Sequence, residues 1–439
     1  MNMPPVYATE EACDHWTQFM LNVLALPAPA PPSEDELAKE EWITLPFWKL
    51  QKWASKNLET YFERYGLPKQ VDEDMRGYAQ HYIDVWACGV LDAQMRVLGQ
   101  SFREYVSPRV VRNCLRYLSH AVESSLTWKF MKPHLDELMD SILFPLMCHS
   151  DADDRMWDED PYEYVRRRYA LEVNYVDPET AAGFLIDNLI EKRPKATLES
   201  TVGKCMAVAQ VLPGDPQYNP RHKDGALNIL GSIAEHIVER KKYAALMEEF
   251  IVKWVLPEVE SPAPFMHRRL CCFVDSFSEL RFQSVESAER VLAAVLQCLK
   301  SEHIPVSVAA AIALQQQLDT NEHMQPYVEG ELEWIIGKLL ELLRDTDNDD
   351  LTDVMARLIE IYAEQLAPYG IQLAEELARA FERLRHYDPS NEADQHKVLA
   401  AQGVMESIQN ISDIFETQTP ERRAEFGALC VCVCGGGER

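Results

Sequence analysis

The sequence predicts an all-α fold, a right-handed superhelical solenoid of antiparallel helix pairs, and three observations support this prediction. Glycine is scarce, with 17 residues in a chain of 439, which disfavours a β-fold that depends on many tight turns. From about residue 80 onward, apolar residues recur at helical spacing between short polar or proline-rich breaks. Clusters of small residues also return at a nearly constant interval along the chain.

The block from Leu351 to Leu366 illustrates the helical pattern. Its apolar residues fall on one face of a helix, while charged residues such as Asp353 and Arg357 fill the other face. Pro368 follows shortly afterwards as a helix stop signal. The next block, from Ile371 to Leu384, repeats this design, and no convincing alternation typical of a strand separates such blocks.

The breaks between the blocks are predicted to be loops because prolines, glycines or acidic residues cluster in them. They are Pro27–Glu36, Ser150–Pro161, Pro213–Gly225, Pro257–Pro264 and His386–Gln395.

The small-residue clusters define a rough repeat. Anchored at Ala226, Leu270, Ala310, Val354 and Ala401, they are spaced by 44, 40, 44 and 47 residues. This interval suits the two-helix HEAT or armadillo repeat, whose period is about 40–47 residues. Small residues let neighbouring helices approach closely, and a stack of such pairs offers one long concave face to partners. The periodicity therefore predicts a protein that works by binding other proteins.

The charge of the chain narrows the class of partner. The formal net charge is −28, from 71 acidic and 43 basic residues. Such a surface repels nucleic-acid phosphates and anionic membranes, so neither direct nucleic-acid binding nor membrane insertion is expected. It attracts basic proteins and speeds their encounter. The alternative interpretation is that the acidity only keeps a large protein monodisperse.

Cysteine usage indicates an intracellular protein. The eleven cysteines are mostly scattered singly in apolar stretches, as with Cys114 and Cys205, and this pattern is typical of reduced, buried thiols. The N-terminus has no basic segment of a signal peptide, and no run of about 18 apolar residues is present. The tail from Cys430 to Cys434 lacks the paired knuckles of a zinc site, and we expect it to be unstructured.

No catalytic, cofactor or metal motif is found. Gly203-Lys204 and Gly337-Lys338 both lack the glycine that a phosphate-binding loop requires five residues earlier. The acidic run that begins at Asp151 places Arg155 and Met156 where a calcium loop needs a ligand and a glycine. The sequence therefore predicts a protein that is not an enzyme and holds no cofactor or metal.

Several segments occur in a fixed order over roughly residues 16–426, and they are Pro46–Trp53, Ser125–Lys129, Phe144–Cys148, Glu159–Arg166, Lys223–Leu227, Val308–Leu314 and Asn348–Thr352. Together they resemble the importin seven/eight branch of the importin-β (karyopherin) nuclear transport receptors. The resemblance implies HEAT repeats over residues 41–427, a preceding helix and proline-rich acidic linker over residues 1–40 that continue the solenoid, and a disordered tail over residues 428–439. Family members are about twice as long, so we expect a central fragment without the N-terminal domain that makes the principal RanGTP contact.

The resemblance also implies a function. A receptor of this family binds basic cargo such as ribosomal proteins or histones, passes the pore by weak contacts with Phe-Gly nucleoporins, and releases cargo to RanGTP in the nucleus. It shuttles between cytoplasm and nucleus through the nuclear pore. Ran binding by this chain is expected to be weak or absent. The alternative is a HEAT-repeat scaffold of a protein complex with no transport role.

Two acidic clusters are candidate contacts for a partner. The stronger candidate is an acidic loop with the residues Asp151, Asp153, Asp154, Asp158, Glu159 and Asp160. The alternative interpretation is that this loop is a solvated connection between helices and contacts no partner. Within it, Trp157, Tyr162 and Tyr164 are expected to pack the loop down. The weaker cluster comprises Asp345, Asp347, Asp349 and Asp350. Its last two members are also suited to cap a helix that begins at Leu351.

Overall fold

The computed structural model describes residues 9–32, 41–169, 177–346, 349–366, 369–384, 401–405, 408–409 and 411–412. Regular secondary structure in these ranges is entirely helical, which confirms the all-α prediction. None of the helices within these ranges combines the length and the apolar character needed to cross a bilayer. The tail with Cys430 and the predicted break at 386–395 lie outside the described residues.

The first half of the chain contains helices of very unequal length, several of them extended by 3-10 or π-helical turns. They are α1 (Glu10–Leu24), α2 (Pro46–Tyr65), α3 (Arg76–His81), α4 (Ala87–Gln100), α5 (Pro108–Ala121), α6 (Ser125–Met131), α7 (Leu135–Leu138), α8 (Phe144–Met147), α9 (Asp151–Glu159), α10 (Pro161–Tyr169), α11 (Pro178–Lys192) and α12 (Pro194–Ala209). Proline occupies the first helical position of many of these helices, where its missing N–H costs nothing.

The second half continues the same design. Its helices are α13 (Pro220–Ser232), α14 (Ala234–Val238), α15 (Lys241–Phe250), α16 (Pro264–Ser276), α17 (Val285–Leu299), α18 (Ile304–Thr320), α19 (Gln325–Glu329), α20 (Leu332–Thr346), α21 (Asp349–Ile361), α22 (Ala363–Leu366) and α23 (Gly370–Leu384).

The helices group into two compact units. Unit 1 comprises Met1–Cys148, Tyr175–Val208 and Asn228–His236. Unit 2 comprises His149–Asn174, Ala209–Leu227 and Ile237–Arg439.

In unit 1, α2, α5 and α11 lie side by side in one layer. Polar side chains fix their register: the Asn113 amide donates to Ser55 Oγ over 3.0 Å, and the Asn188 amide donates to the Ser119 carbonyl over 2.9 Å. Beneath this seam the buried ring of Phe62 stacks on Tyr117 with ring centroids 4.8 Å apart. Burial of such aromatic side chains, with their large apolar area, stabilises the layer.

In unit 2, α16, α18 and α21 pack in succession, and they carry the repeat anchors Leu270, Ala310 and Val354. All three residues are fully buried. A Cβ atom on Gly403 would come within 3.2 Å of Thr352 Cβ, so this small residue also lies at a close helix contact. The structure thus confirms that the small-residue clusters lie where stacked helices meet.

Three predicted breaks differ from the structure. Residues Ser150–Pro161 are mostly helical, so the loop prediction there was wrong. In the break Pro257–Pro264, a 3-10 helix extends to Glu260 and α16 begins at Pro264. In the break Pro213–Gly225, the coil ends at Asn219 and α13 begins at Pro220. The proline was taken as a loop signal, but at the first position of a helix it favours helix initiation.

Candidate functional site

The predicted acidic loop is a helical hairpin formed by α9 and α10. Ser150 caps α9 through a capping box, in which the Asp153 N–H donates to Ser150 Oγ over 3.2 Å and the Ser150 N–H donates to Asp153 Oδ2 over 2.8 Å. Carboxylates in a first helical turn also interact favourably with the helix dipole. A Ser-x-x-Asp pattern in an acidic stretch therefore starts a helix here instead of forming a loop.

The second helix of the hairpin follows immediately. Asp160 accepts the Glu163 N–H over 2.9 Å, and Pro161 occupies the first helical position. Glu163 forms ion pairs with Arg166 and, over 2.8 Å, with Arg167 along the same helix. The sharp reversal between α9 and α10 is thus stabilised by Asp160, one of the predicted partner-binding residues.

Aromatic side chains hold the hairpin against the rest of unit 2. Trp157 and Tyr164 are buried, with ring centroids 5.0 Å apart, as predicted. Tyr162 is 44% exposed, so its predicted packing role was wrong. The Tyr164 ring lies between two guanidinium groups, with Arg168 at 5.3 Å and Arg268 of α16 at 5.5 Å from its centroid. Such cation–π contacts favour a fixed position for the hairpin.

Three of the six acidic residues form ion pairs within the protein. Asp153 pairs with Arg168 over 2.8 Å; burial raises the pKa of its carboxyl, but the Arg168 charge and the hydrogen bonds from Ser150 outweigh burial and lower it. Asp154 contacts His149 over 2.8 Å and also pairs with Arg221. Asp151 pairs with Arg221 over 2.6 Å.

His149 anchors the start of the hairpin. Its ring stacks on Phe265 with centroids 4.0 Å apart and planes inclined by 5°. Burial lowers the pKa of the His149 imidazole in spite of the surrounding carboxylates, among them Asp224 and Asp153. The neutral ring therefore packs on Phe265 and forms a hydrogen bond with Asp154 beneath the acidic residues.

Because Asp153 serves both the cap and an ion pair, we expect Asp153→Ala to loosen the hairpin. The substitution removes the Asp153 half of the capping box, which costs about 1 kcal/mol at most because Ser150 still caps the helix, and loss of the partly buried ion pair adds to this. Hydrogen exchange of peptides covering residues 150–169 is expected to accelerate roughly tenfold, with Asp158→Ala as the matched control that leaves exchange unchanged. Equal exchange in the two variants would show that the cap does not stabilise the hairpin.

Asp158 and Glu159 differ from the other four residues. Both are exposed at the C-terminal end of α9, and neither forms an ion pair with another described residue. Their charges lie at the end of a helix where the dipole disfavours anions. They are therefore the members of the predicted set that remain open to a basic partner.

The structure describes only some residues of the weaker acidic cluster. Asp345 is exposed and pairs with Arg344 over 3.3 Å. The helix begins at Asp349, two residues earlier than predicted, so Asp350 lies in its first turn. Asp347 and the side chain of Asp349 lie outside the described residues.

A buried charge network in unit 2 was missed at the level of sequence. Lys223 Nζ lies 2.6 Å from Glu258 Oε1, and Arg269 Nε lies 2.6 Å from Asp224 Oδ1, with all four side chains buried. The His149 N–H donates to Asp224 Oδ2 over 3.0 Å and so ties the network to the acidic hairpin. The available signal was that Lys223 and Asp224 directly precede a run of small and apolar residues that includes Ala226 and Leu227.

A second cluster of charges, in unit 1, contains potential metal ligands. Carboxylates of Glu59 and Glu63 and the His120 ring lie within reach of one another. Arg116 Nε lies 2.9 Å from Glu59 Oε1, and Lys56 donates to Glu59 Oε2 over 2.6 Å. These cations already neutralise the carboxylates, so the arrangement is that of an ion-pair network.

Comparison with known proteins identifies relatives along most of the chain. No family model matches. Mouse importin-8 is 31% identical over 409 residues, covering 92% of this chain and 39% of the relative. Human importin-8 is 32% identical over 392 residues, covering 88% and 37%. The importin beta-like SAD2 homolog of Arabidopsis thaliana is 27% identical over 402 residues, covering 90% and 38%. The chain therefore spans less than two fifths of the length of these relatives.

Solved structures show the same fold. The exportin Cse1 in its cargo-free, cytoplasmic state superposes with a TM-score of 0.70 at 13% identity, covering 99% of this chain and 44% of Cse1. Lph2, a bidirectional nuclear transport receptor of S. cerevisiae, superposes with a TM-score of 0.58 at 12% identity, covering 97% and 43%. The stacked helices and the importin-8 matches confirm the resemblance seen in the sequence. The chain therefore belongs to the importin-β family of nuclear transport receptors, in the branch that contains importin-8.

Proposed function

We propose that this chain binds basic cargo proteins as part of a nuclear transport receptor. The observation that supports this most strongly is the similarity to importin-8, which extends over about nine tenths of the chain. A helical-repeat fold works through its surfaces, so we also propose that the chain is not an enzyme and needs no cofactor. Its sites of action are the cytoplasm, the nucleus and the pore between them.

Charge supports basic cargo such as ribosomal proteins and histones. The chain carries a net charge of −28, and complementary charge speeds the encounter with Lys-rich partners. Within the acidic hairpin, Asp158 and Glu159 are exposed on a helix whose other side is held by Trp157. A fixed carboxylate pair loses less conformational entropy on binding than a flexible loop does. We therefore assign the cargo contact to this end of the hairpin.

Other partners follow from the family. We propose contact with Phe-Gly nucleoporins, and with Ran in the intact receptor but weakly or not at all in this chain. We also propose that HEAT repeats continue over residues 41–427, with residues 1–40 as a continuation and residues 428–439 as a separate tail. A HEAT scaffold without a transport role is the second candidate, and the same fold supports it.

The cargo proposal predicts a strong dependence on two residues. We expect the double variant Asp158→Lys/Glu159→Lys to bind a Lys-rich ribosomal protein about tenfold more weakly, since each exposed ion pair contributes roughly 0.2–1 kcal/mol and reversal adds repulsion. Affinity of the unmodified chain is expected to fall steadily between 50 and 300 mM salt, because exposed charges are screened. Fluorescence anisotropy with labelled cargo measures both effects.

The control is Glu249→Lys/Glu279→Lys, which makes the same change in net charge at exposed positions elsewhere in unit 2. An equal loss of affinity in the control would mean that only net charge matters and that the hairpin is not the contact. An affinity independent of salt would contradict the electrostatic account. A pulldown that recovers a stable enzyme complex, instead of basic nuclear proteins, would favour the scaffold.

A further inference from the structure

One face of unit 1 has the opposite charge to the chain as a whole. Six cationic residues, two of them exposed and four half-buried, lie on two adjacent helices, α2 and α5, and we call this set the basic face: Lys49, Lys52, Lys56, Arg109, Arg112 and Arg116. In a chain of net charge −28, a cluster of this sign is unlike the surface around it. Lys49 and Arg109 are exposed, and neither forms an ion pair with a described residue.

The register of the two helices brings these cations together. The Asn113 amide contacts the Lys52 carbonyl over 3.4 Å, which places the start of α5 beside the start of α2. One turn further along, Arg116 pairs with Glu59 over 2.9 Å and with Glu63 over 3.3 Å. These two carboxylates offset only part of the charge of six cations. Glu59 also pairs with Lys56 over 2.6 Å, whereas Lys49, Lys52 and Arg109 form no ion pair with a described residue. Burial, the largest cause, lowers the pKa of Arg112, and the positive charges of Arg116 and Arg109 lower it further against the opposing charge of Glu59.

Exposed aromatic rings flank the basic face. Trp53 of α2 is 58% exposed, and Lys52 Nζ lies 4.8 Å from its ring centroid. Phe184 of α11, the next helix of the same layer, is 63% exposed. The hydrogen bond from Asn188 to Ser119 sets α11 beside α5. Phe184 therefore lies on the side of α5 that is opposite to α2 and Trp53. Large exposed aromatic side chains beside uncompensated charge are typical of binding anchors.

We propose that the basic face binds an acidic protein segment that carries apolar side chains. The cations pair with its carboxylates, and Trp53 and Phe184 receive its apolar residues. The occupant is a short segment, because Glu191 on α11 and the net charge of the chain repel a long polyanion such as RNA. This surface is independent of the proposed contact for basic cargo, and it would let one chain hold partners of opposite charge.

The test uses the full chain and a fluorescein-labelled dodecapeptide of glutamates and aspartates with two leucines. Lys49→Glu/Arg109→Glu is expected to weaken binding of this peptide at least about fivefold, because two ion pairs become repulsive. Trp53→Ala/Phe184→Ala is expected to weaken it about threefold while leaving the salt dependence unchanged. Lys129→Glu/Lys132→Glu, at exposed positions on other helices of unit 1, is the matched control and is expected to bind normally.

Three outcomes would overturn the proposal. The unmodified chain does not bind the peptide; the control variant loses as much affinity as Lys49→Glu/Arg109→Glu; or a twelve-nucleotide single-stranded oligouridine binds as tightly as the peptide. The last outcome would assign the face to nucleic acid. Far-ultraviolet circular dichroism verifies that each variant keeps its helices, so a loss of binding reports on the surface.

Discussion

Replacing Lys223 with methionine is expected to destabilise unit 2 locally by about 3–5 kcal/mol, the usual cost of leaving one member of a buried ion pair alone. The Glu258 side chain is 0% exposed and would lose the ammonium that lies 2.6 Å away. Burial lowers the pKa of Lys223, while the Glu258 carboxylate raises it, which indicates how strongly the two groups depend on each other. Hydrogen exchange of peptides covering residues 205–232 and 250–276 measures the local opening free energy.

The double variant Lys223→Met/Glu258→Leu separates the net contribution of the ion pair to stability from the cost of removing only one of its partners. We expect it to recover most of the lost stability, since a buried ion pair replaced by apolar groups of similar volume is often neutral or stabilising. Tyr218, whose hydroxyl donates to Glu258 Oε2 over 2.6 Å, keeps Ser261 as a partner at 2.8 Å. If the single variant is as stable as the unmodified chain, the pair is not buried as described.

The fold was predictable because its signals are local and repeated. Blocks such as Ile371–Leu384 show the helical period directly, and buried small residues such as Ala310 mark the places where helices stack. What failed was the reading of acidic stretches and prolines as breaks. Ser150 and Asp153 form a capping box, and its pattern is visible in the sequence, but its meaning depends on whether a helix has a surface to pack on.

The residues of the candidate site could be predicted from the sequence, but which of them form internal ion pairs and which stay exposed could not. The sequence alone does not distinguish Asp151, Asp154 and Asp158. In the structure, Asp151 and Asp154 form ion pairs with Arg221, and Asp158 is exposed. The partner Arg221 lies about seventy residues away along the chain, and no periodicity reports such a long-range contact. The same limit explains why the pairing of Asp224 with Arg269 could not be foreseen.

Glu59→Gln is expected to destabilise the α2–α5 seam by roughly 2–3 kcal/mol at neutral pH. Burial raises the pKa of the Glu59 carboxyl, but the His120 ring 3.8 Å away, the hydrogen bond from Lys56 and the charge of Arg116 outweigh it and lower the pKa from 4.5 to about 2. A shift of this size corresponds to roughly 3 kcal/mol of stability that depends on the ionised carboxylate. Hydrogen exchange of peptides covering residues 46–65 and 108–121 gives the opening free energy of this seam.

The sign of the pH dependence follows from the direction of the shift. A carboxyl with a depressed pKa in the folded state stabilises the protein fully above its unfolded value of 4.5 and progressively less as pH falls towards about 2. The difference between the unmodified chain and Glu59→Gln is therefore expected to shrink over this window. Glu63→Gln, whose side chain is 37% exposed beside the same Arg116, serves as the control, with an expected effect of at most about 0.5 kcal/mol. A difference that stays constant from pH 7 to pH 2.5 would show that ionisation of the Glu59 carboxyl does not supply this stability.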